Sequence, residues 1–163
     1  MKMEDEESLL VKKIRNGTVI DHIPAGLSFL VLKVLGITRD ERGKVAVLMN
    51  AESRKIGKKD IVKVENRELS PQEVQKIAII APNATLNIIK DFKVERKIKL
   101  YLPNKVTGVL RCTNPYCITN KSEEPIVSSL ELVSSEPIVL RCTYCGTKQD
   151  YKQILRSLEE PLS

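Results

Sequence analysis

The sequence predicts an α+β chain: a ferredoxin-like antiparallel sheet with two helices, followed by a small all-β, zinc-ribbon-like domain. Three observations predict it. Between Leu10 and Leu102, strand and helix periodicities alternate in the order β-α-β-β-α-β with one added strand, which is the split βαβ order. Beyond Pro103 no helical pattern follows until the last residues. All four cysteines lie in that second part.

The composition sets the frame. A length of 163 residues allows one large domain or two small ones. Hydrophobic residues make up 42%, enough for a packed core, while aromatics are only 4% and Trp is absent. The core is therefore expected to be mostly Ile, Leu and Val, a β-branched bias that favours sheets. A formal net charge of +6 suits an anionic partner, whether nucleic acid, nucleotide or acidic protein face, and is also ordinary for a soluble protein. No apolar run is long enough for a transmembrane helix. The acidic start, Met1 to Glu7, lacks the apolar stretch of a signal peptide. No membrane association and a cytoplasmic location are the expectations.

Residues 1–9 read as a solvated, disordered tail. Gly17–Asp21 reads as a short strand, and Pro24 can open a helix at its first position, where a missing N–H is harmless. Leu27, Leu30, Val31, Val34 and Leu35 share one helical face, and Gly36 can end it. Arg39 to Gly43 reads as a turn before a strand from Lys44 to Asn50. Lys59 to Asn66 alternates Ile61, Val62 and Val64 against Lys59, Lys63 and Glu65, a strand with one wet face. Ser70-Pro71-Gln72-Glu73 carries a capping Ser, Pro at the first helical position and Glu at the third, so a helix starts there and Pro82 stops it. Ala84–Ile89 and Phe92–Leu102 complete the strands.

The boundary falls near residue 103, giving a first domain over 10–102 and a second over 103–163. The second is too small to be stable without a staple. Cys112-x4-Cys117 and Cys142-x2-Cys145, separated by 24 residues, are two short-spaced pairs that can converge on one tetrahedral metal. Two disulfides or four free thiols are the other readings, and a cytosolic setting disfavours disulfides. Four thiolates leave no open coordination position, which fits structural zinc and not catalysis. Zinc ribbons serve nucleic-acid binding and protein docking alike. Arg111, Arg141, Tyr116 and Tyr144 near the cysteines are a thin set for a nucleic-acid surface.

In the first domain His22 is the sole histidine. It follows Asp21, but no Ser or Cys nucleophile accompanies it; a hydrogen-bonded loop residue and a ligand contact both remain open. Gly36-x6-Gly43-Lys44-Val45 has the wrong spacing for a phosphate loop and Val where Ser or Thr is needed. Lys59, Lys63 and Lys97, on different strands, could gather around a triphosphate as point charges or could line a solvated face.

Gly17-Thr18-Val19-Ile20-Asp21-His22-Ile23-Pro24-Ala25, Gly57 to Asn66, Ala81 to Asn87 and the two cysteine pairs occur together and in this order. The combination resembles the aspartate carbamoyltransferase regulatory chain over residues 10–153. That resemblance implies a non-catalytic subunit in pyrimidine biosynthesis. Its first domain would bind the nucleoside triphosphates ATP, CTP and UTP as allosteric effectors. Its second would hold one structural zinc through Cys112, Cys117, Cys142 and Cys145 and dock on the catalytic chain. By position, Asp21 and Lys63 would hold the ribose and base, His22 would meet the phosphate region and Lys97 would hold phosphates. Val11, Lys12, Lys13, Ile14 and Val19 would line the base pocket. Lys59, Ile61, Asn87, Ile89, Phe92 and Val94 would border the site. Lys12 stands where the family often has an acidic residue, and Phe92 where it has Tyr. The resemblance further implies regulatory dimers paired through their first domains, in a complex of two catalytic trimers and three regulatory dimers. A zinc-ribbon nucleic-acid-binding protein is the alternative, and it predicts salt-steep binding to DNA or RNA; the resemblance implies no nucleic-acid partner.

Overall fold

The computed structural model describes residues 13–123 and 125–159. The expected tail over 1–9, with Val11 and Lys12, lies outside them. The chain divides into two compact units, Met1–Tyr101 and Leu102–Ser163.

The first unit runs β1 (Gly17–Pro24), α1 (Ser28–Val34), β2 (Val45–Ser53), β3 (Gly57–Glu65), α2 (Pro71–Ile80), β4 (Thr85–Lys90) and β5 (Lys93–Lys99). The strands form one antiparallel sheet in the order β2-β3-β1-β4-β5, the ferredoxin-like order with β5 added at the edge. Successive side chains of a strand point to opposite faces. On one face Ile20, Val62 and Leu86 stand in register and are fully or almost fully buried. With Val31, Leu30, Ile77 and Ile80 they make the aliphatic core that the composition demanded. Arg67 ties this face together: its backbone carbonyl accepts the Thr18 hydroxyl at 2.7 Å, and its guanidinium donates to the Leu35 carbonyl and to Glu73.

Helix α2 starts as its sequence dictates. Ser70 Oγ accepts the Glu73 N–H at 3.2 Å, Glu73 Oε1 accepts the Ser70 N–H at 3.0 Å, and Pro71 occupies the first turn. Helix α1 does not. Pro24 is the last residue of β1 instead of the first of a helix, and the helix begins four residues later, at Ser28. The reason is Asp60 on β3, a fully buried carboxylate that sequence spacing did not single out. It accepts the N–H groups of Gly26 (3.0 Å) and Ser28 (3.2 Å), so the helix entrance is anchored from across the sheet. Its other oxygen accepts Asn50 N–H at 3.0 Å. Strands β1 and β2 each carry a bulge at this level, with His22 (φ 62°) and Asn50 (φ 60°) in the left-handed region.

Strand β3 departs from the expected wet face: Lys59 and Lys63 are 2% and 8% exposed. β3 is an interior strand flanked by β2 and β1, and Lys59 is drawn against Asp21 of β1 at 3.2 Å instead of reaching out to water. Gly17 sits where a Cβ would lie 2.2 Å from the Val64 carbonyl oxygen, with φ at 145°, so the first residue of β1 must be glycine.

The second unit contains β6 (Lys105–Thr107), a 3-10 turn at Ile118–Asn120, β7 (Ser129–Ser135), β8 (Ile138–Cys142), β9 (Lys148–Asp150) and α3 (Tyr151–Glu159). The strands form a four-stranded antiparallel sheet in sequence order. Its core of Val106, Leu110, Leu130, Leu140 and Ile154 is small. Helix α3 is an addition to the all-β expectation; Asp150 and Gln153 cap its start reciprocally, at 2.9 and 2.8 Å. No helix among the described residues is long and apolar enough to cross a membrane.

Candidate functional site

The sheet of the first unit has a second face, opposite Ile20 and Val62. Strand pairing assembles a row across four strands there: Lys63 on β3 faces Val19 on β1, Val19 faces Asn87 on β4, and Asn87 faces Lys97 on β5. Directly paired side chains share a face. Asp21 and Ile61 follow two residues from Val19 and Lys63, and Ile89 follows Asn87, with Val94 as its partner on β5.

Acid and base meet on this face. Lys59 Nζ lies 3.2 Å from Asp21 Oδ1. The same carboxylate oxygen accepts the His22 N–H at 2.6 Å, which holds the left-handed turn of the bulge. His22 is nearly buried, with Nδ1 3.3 Å from the Thr85 hydroxyl. Burial pushes the Lys63 amine below its ordinary value; the Asp21 charge opposes the fall and the Lys13 charge adds to it. Lys13, Asp21 and Lys63 therefore sense one another.

The segment before β1 is tied to the β4–β5 hairpin. The Arg15 carbonyl accepts the Phe92 N–H at 2.9 Å, and Asn16 Oδ1 accepts the Asp91 N–H at 3.2 Å. Asp91 and Phe92 both have positive φ, 48° and 67°, as a two-residue primed turn requires. Phe92 and Val94 are 56% and 57% exposed and stand as apolar surface at the end of the face. Exposed Lys13, half-buried Ile14 and exposed Lys97 complete the described part of the expected set.

In the second unit the four cysteines converge. Their sulfurs all lie within 4.8 Å of one another. Cys112 Sγ to Cys145 Sγ and Cys117 Sγ to Cys142 Sγ are each 3.7 Å. A disulfide needs about 2.05 Å, whereas four sulfurs ~2.3 Å from a central tetrahedral ion stand about 3.8 Å apart. The donor set fits zinc and not a bridge. Gly146, with φ at 76°, closes one knuckle through its N–H to the Cys142 carbonyl at 3.0 Å. In the other, the Cys117 N–H reaches the Asn114 carbonyl at 3.0 Å.

Further residues that spacing had not marked surround the sulfurs. Gln149, fully buried, points Nε2 at Cys112 Sγ (3.6 Å) and accepts the Thr113 N–H with Oε1 (3.2 Å). Asn120 donates to the carbonyls of Cys112 (2.8 Å) and Asn114 (2.7 Å). Thr119 and Thr147 place hydroxyls 3.1 and 3.2 Å from Cys117 Sγ and Cys145 Sγ. Only the position of Gln149 on a three-residue strand beside the second knuckle could have hinted at its role. Burial raises the Cys112 and Cys142 thiols; at Cys145 burial opposes the Thr147 and Asn114 hydrogen bonds, which prevail and bring it to about 6.

Residues 9–101 match the family described as the aspartate carbamoyltransferase regulatory chain, allosteric domain. Residues 104–155 match the metal binding domain of the same regulatory chain. Similar proteins include the aspartate carbamoyltransferase regulatory chain of Hyperthermus butylicus, 52% identical over 158 residues, which cover 97% of this chain and 99% of that one. That of Thermofilum pendens is 54% identical over 156 residues, covering 96% and 98%. That of Korarchaeum cryptofilum is 51% identical over 153 residues, covering 94% and 98%.

Proposed function

Because this chain belongs to the family of aspartate carbamoyltransferase regulatory chains, a non-catalytic component with an allosteric and a metal-binding domain, we propose that its polar sheet face binds nucleoside triphosphates and that a zinc-held second unit carries the signal to the catalytic chain. The effectors are ATP, CTP and UTP, in the service of pyrimidine biosynthesis. The observation that carries the reading is the four-strand row Lys63–Val19–Asn87–Lys97 beside Asp21.

The chemistry divides along that row. Lys97 and His22 meet the phosphates. Asp21 accepts ribose hydroxyls, and Lys63 bridges ribose and base. Lys59, 3.2 Å from Asp21, holds that carboxylate in place. The base lies toward Lys13, Ile14, Ile89, Phe92 and Val94, with Val11 and Lys12 adjoining in sequence. Backbone amides there distinguish purine from pyrimidine, while lysines hold the phosphates of any nucleotide as point charges.

Cys112, Cys117, Cys142 and Cys145 hold one structural zinc, which supplies folding energy to a unit with a small core. The unit docks on the catalytic chain, and first domains pair regulatory chains into dimers, three of which join two catalytic trimers. Coupling requires two global states with different effector affinity, worth roughly 1–3 kcal/mol.

Calorimetric titration of zinc-replete chain with ATP, CTP and UTP tests the site. One saturable site per chain, weakened for all three by Lys97→Ala, is the expected result. A loss confined to one base would overturn the assignment of Lys97 to phosphate, and no nucleotide binding would overturn the reading.

A further inference from the structure

The cleft between the first cysteine knuckle and α3, lined by Arg111, Cys112, Thr113, Pro115, Gln153, Arg156 and Ser157, has a volume of about 330 Å³. Two arginines line it, Arg111 from the segment that leads into the first knuckle and Arg156 from α3. We propose that this cleft is a carboxylate receptor: it takes an Asp or Glu side chain of the catalytic chain when the second unit docks. This rests on the docking reading given above and names the contact.

Both arginines stand on fixed platforms. Arg111 immediately precedes Cys112, whose sulfur belongs to the metal cluster. Its Nε donates to Asn120 Oδ1 at 3.3 Å, and the same Asn120 amide is pinned by its own donation to Cys112 and Asn114 carbonyls. That contact orients the guanidinium while leaving its two terminal amino groups for a ligand. Arg156 sits in the last turn of α3, a helix anchored by fully buried Ile154 and capped by Asp150. A guanidinium held in place loses less entropy on binding and can grip a carboxylate with two parallel hydrogen bonds.

The third arginine of the unit shows the contrast. Arg141 is paired with Glu131 at 3.2 Å. Arg111 and Arg156 form no ion pair among the described residues. Two cations in one cleft repel each other until an anion sits between them. Thr113 adds a hydroxyl beside them, and Pro115 a rigid apolar wall. The lining holds no ring on which a base could stack, which argues for a carboxylate and against a nucleic acid.

The test measures association of the zinc-replete chain with the catalytic trimer at several salt concentrations. Arg111→Gln and Arg156→Gln are each expected to weaken it about tenfold or more and to flatten its salt dependence. Zinc content and nucleotide affinity stay as in the parent. Arg156→Lys retains charge but loses the fork, and falls between. Arg141→Gln is the charge control and leaves association unchanged. Unchanged affinity and salt slope in both glutamine variants would overturn the proposal, as would an equal loss in Arg141→Gln. If the parent chain itself fails to associate, the docking reading falls and the receptor with it.

Discussion

Lys59 and Asp21 form a 3.2 Å ion pair in which the lysine is 2% exposed, so a buried cation is neutralised by a carboxylate on the neighbouring strand. Removing one partner of such a pair leaves the other charge poorly solvated. Lys59→Ala is expected to cost about 3 kcal/mol in urea unfolding. Adding Asp21→Asn should return part of that loss, a coupling that a double-mutant cycle reads directly. Additive effects would mean the two residues act independently.

Burial lowers the Lys63 amine below its ordinary 10.5. The folded chain then releases this proton at lower pH than the unfolded chain does. Between the lowered value and 10.5 the unfolded state binds more protons, so stability rises with pH across that window, and below it the buried charge is a cost. Lys63→Met removes the cost, so its stability advantage over the parent should shrink as pH climbs through the window. Triphosphate binding favours the protonated amine and should take up protons there. Calorimetry in buffers of different ionisation enthalpy checks this, and equal proton uptake in Lys63→Met would contradict it.

Asp60 satisfies three backbone donors, those of Gly26, Ser28 and Asn50. Hydrogen bonds to a charged acceptor contribute roughly 1.5–3 kcal/mol each, with losses that overlap, so Asp60→Ala should destabilise by about 4 kcal/mol. Hydrogen exchange should quicken first at those three amides. Uniform loss of protection across β4 and β5 instead would mean that Asp60 is not a local anchor.

Gln149 reaches the Cys112 sulfur without being a ligand. Loss of such a partner typically weakens a metal ~10–100-fold, so Gln149→Leu should lower zinc affinity by that factor in a chelator competition. Cys142→Ser should abolish stoichiometric zinc. Amides of β6 to β9 should then lose exchange protection while β1 to β5 keep theirs.

What the sequence disclosed follows the range of the interactions involved. The Ser70–Glu73 capping box and the Cys-x2-Cys and Cys-x4-Cys spacings are local, and the structure forms them as read. Alternation placed Lys63 and Val19 on strands, but only pairing puts them in one row with Asn87 and Lys97. Pro24 does not open a helix, because the start of α1 is decided by Asp60, 32 residues beyond Ser28. Lys59 is buried although alternation predicts a wet face, because its partner Asp21 stands on the neighbouring strand, and strand order is not written in a strand's own alternation. Gln149 and Asn120 escaped notice since uncharged amides carry no spacing signature; their roles come from where the knuckles fold.

Nucleotides bound at the sheet face of this chain are expected to change the behaviour of the catalytic chain. The direct measurement is the aspartate saturation curve of catalytic trimers assembled with this chain, recorded with and without ATP, CTP or UTP, for the parent and for Lys63→Ala. Nucleotides should shift the half-saturating aspartate concentration in the parent, within the roughly 5–150-fold range of such couplings, and Lys63→Ala should reduce the shift while assembly persists. Curves that do not move with saturating nucleotide in the assembled parent complex would contradict it.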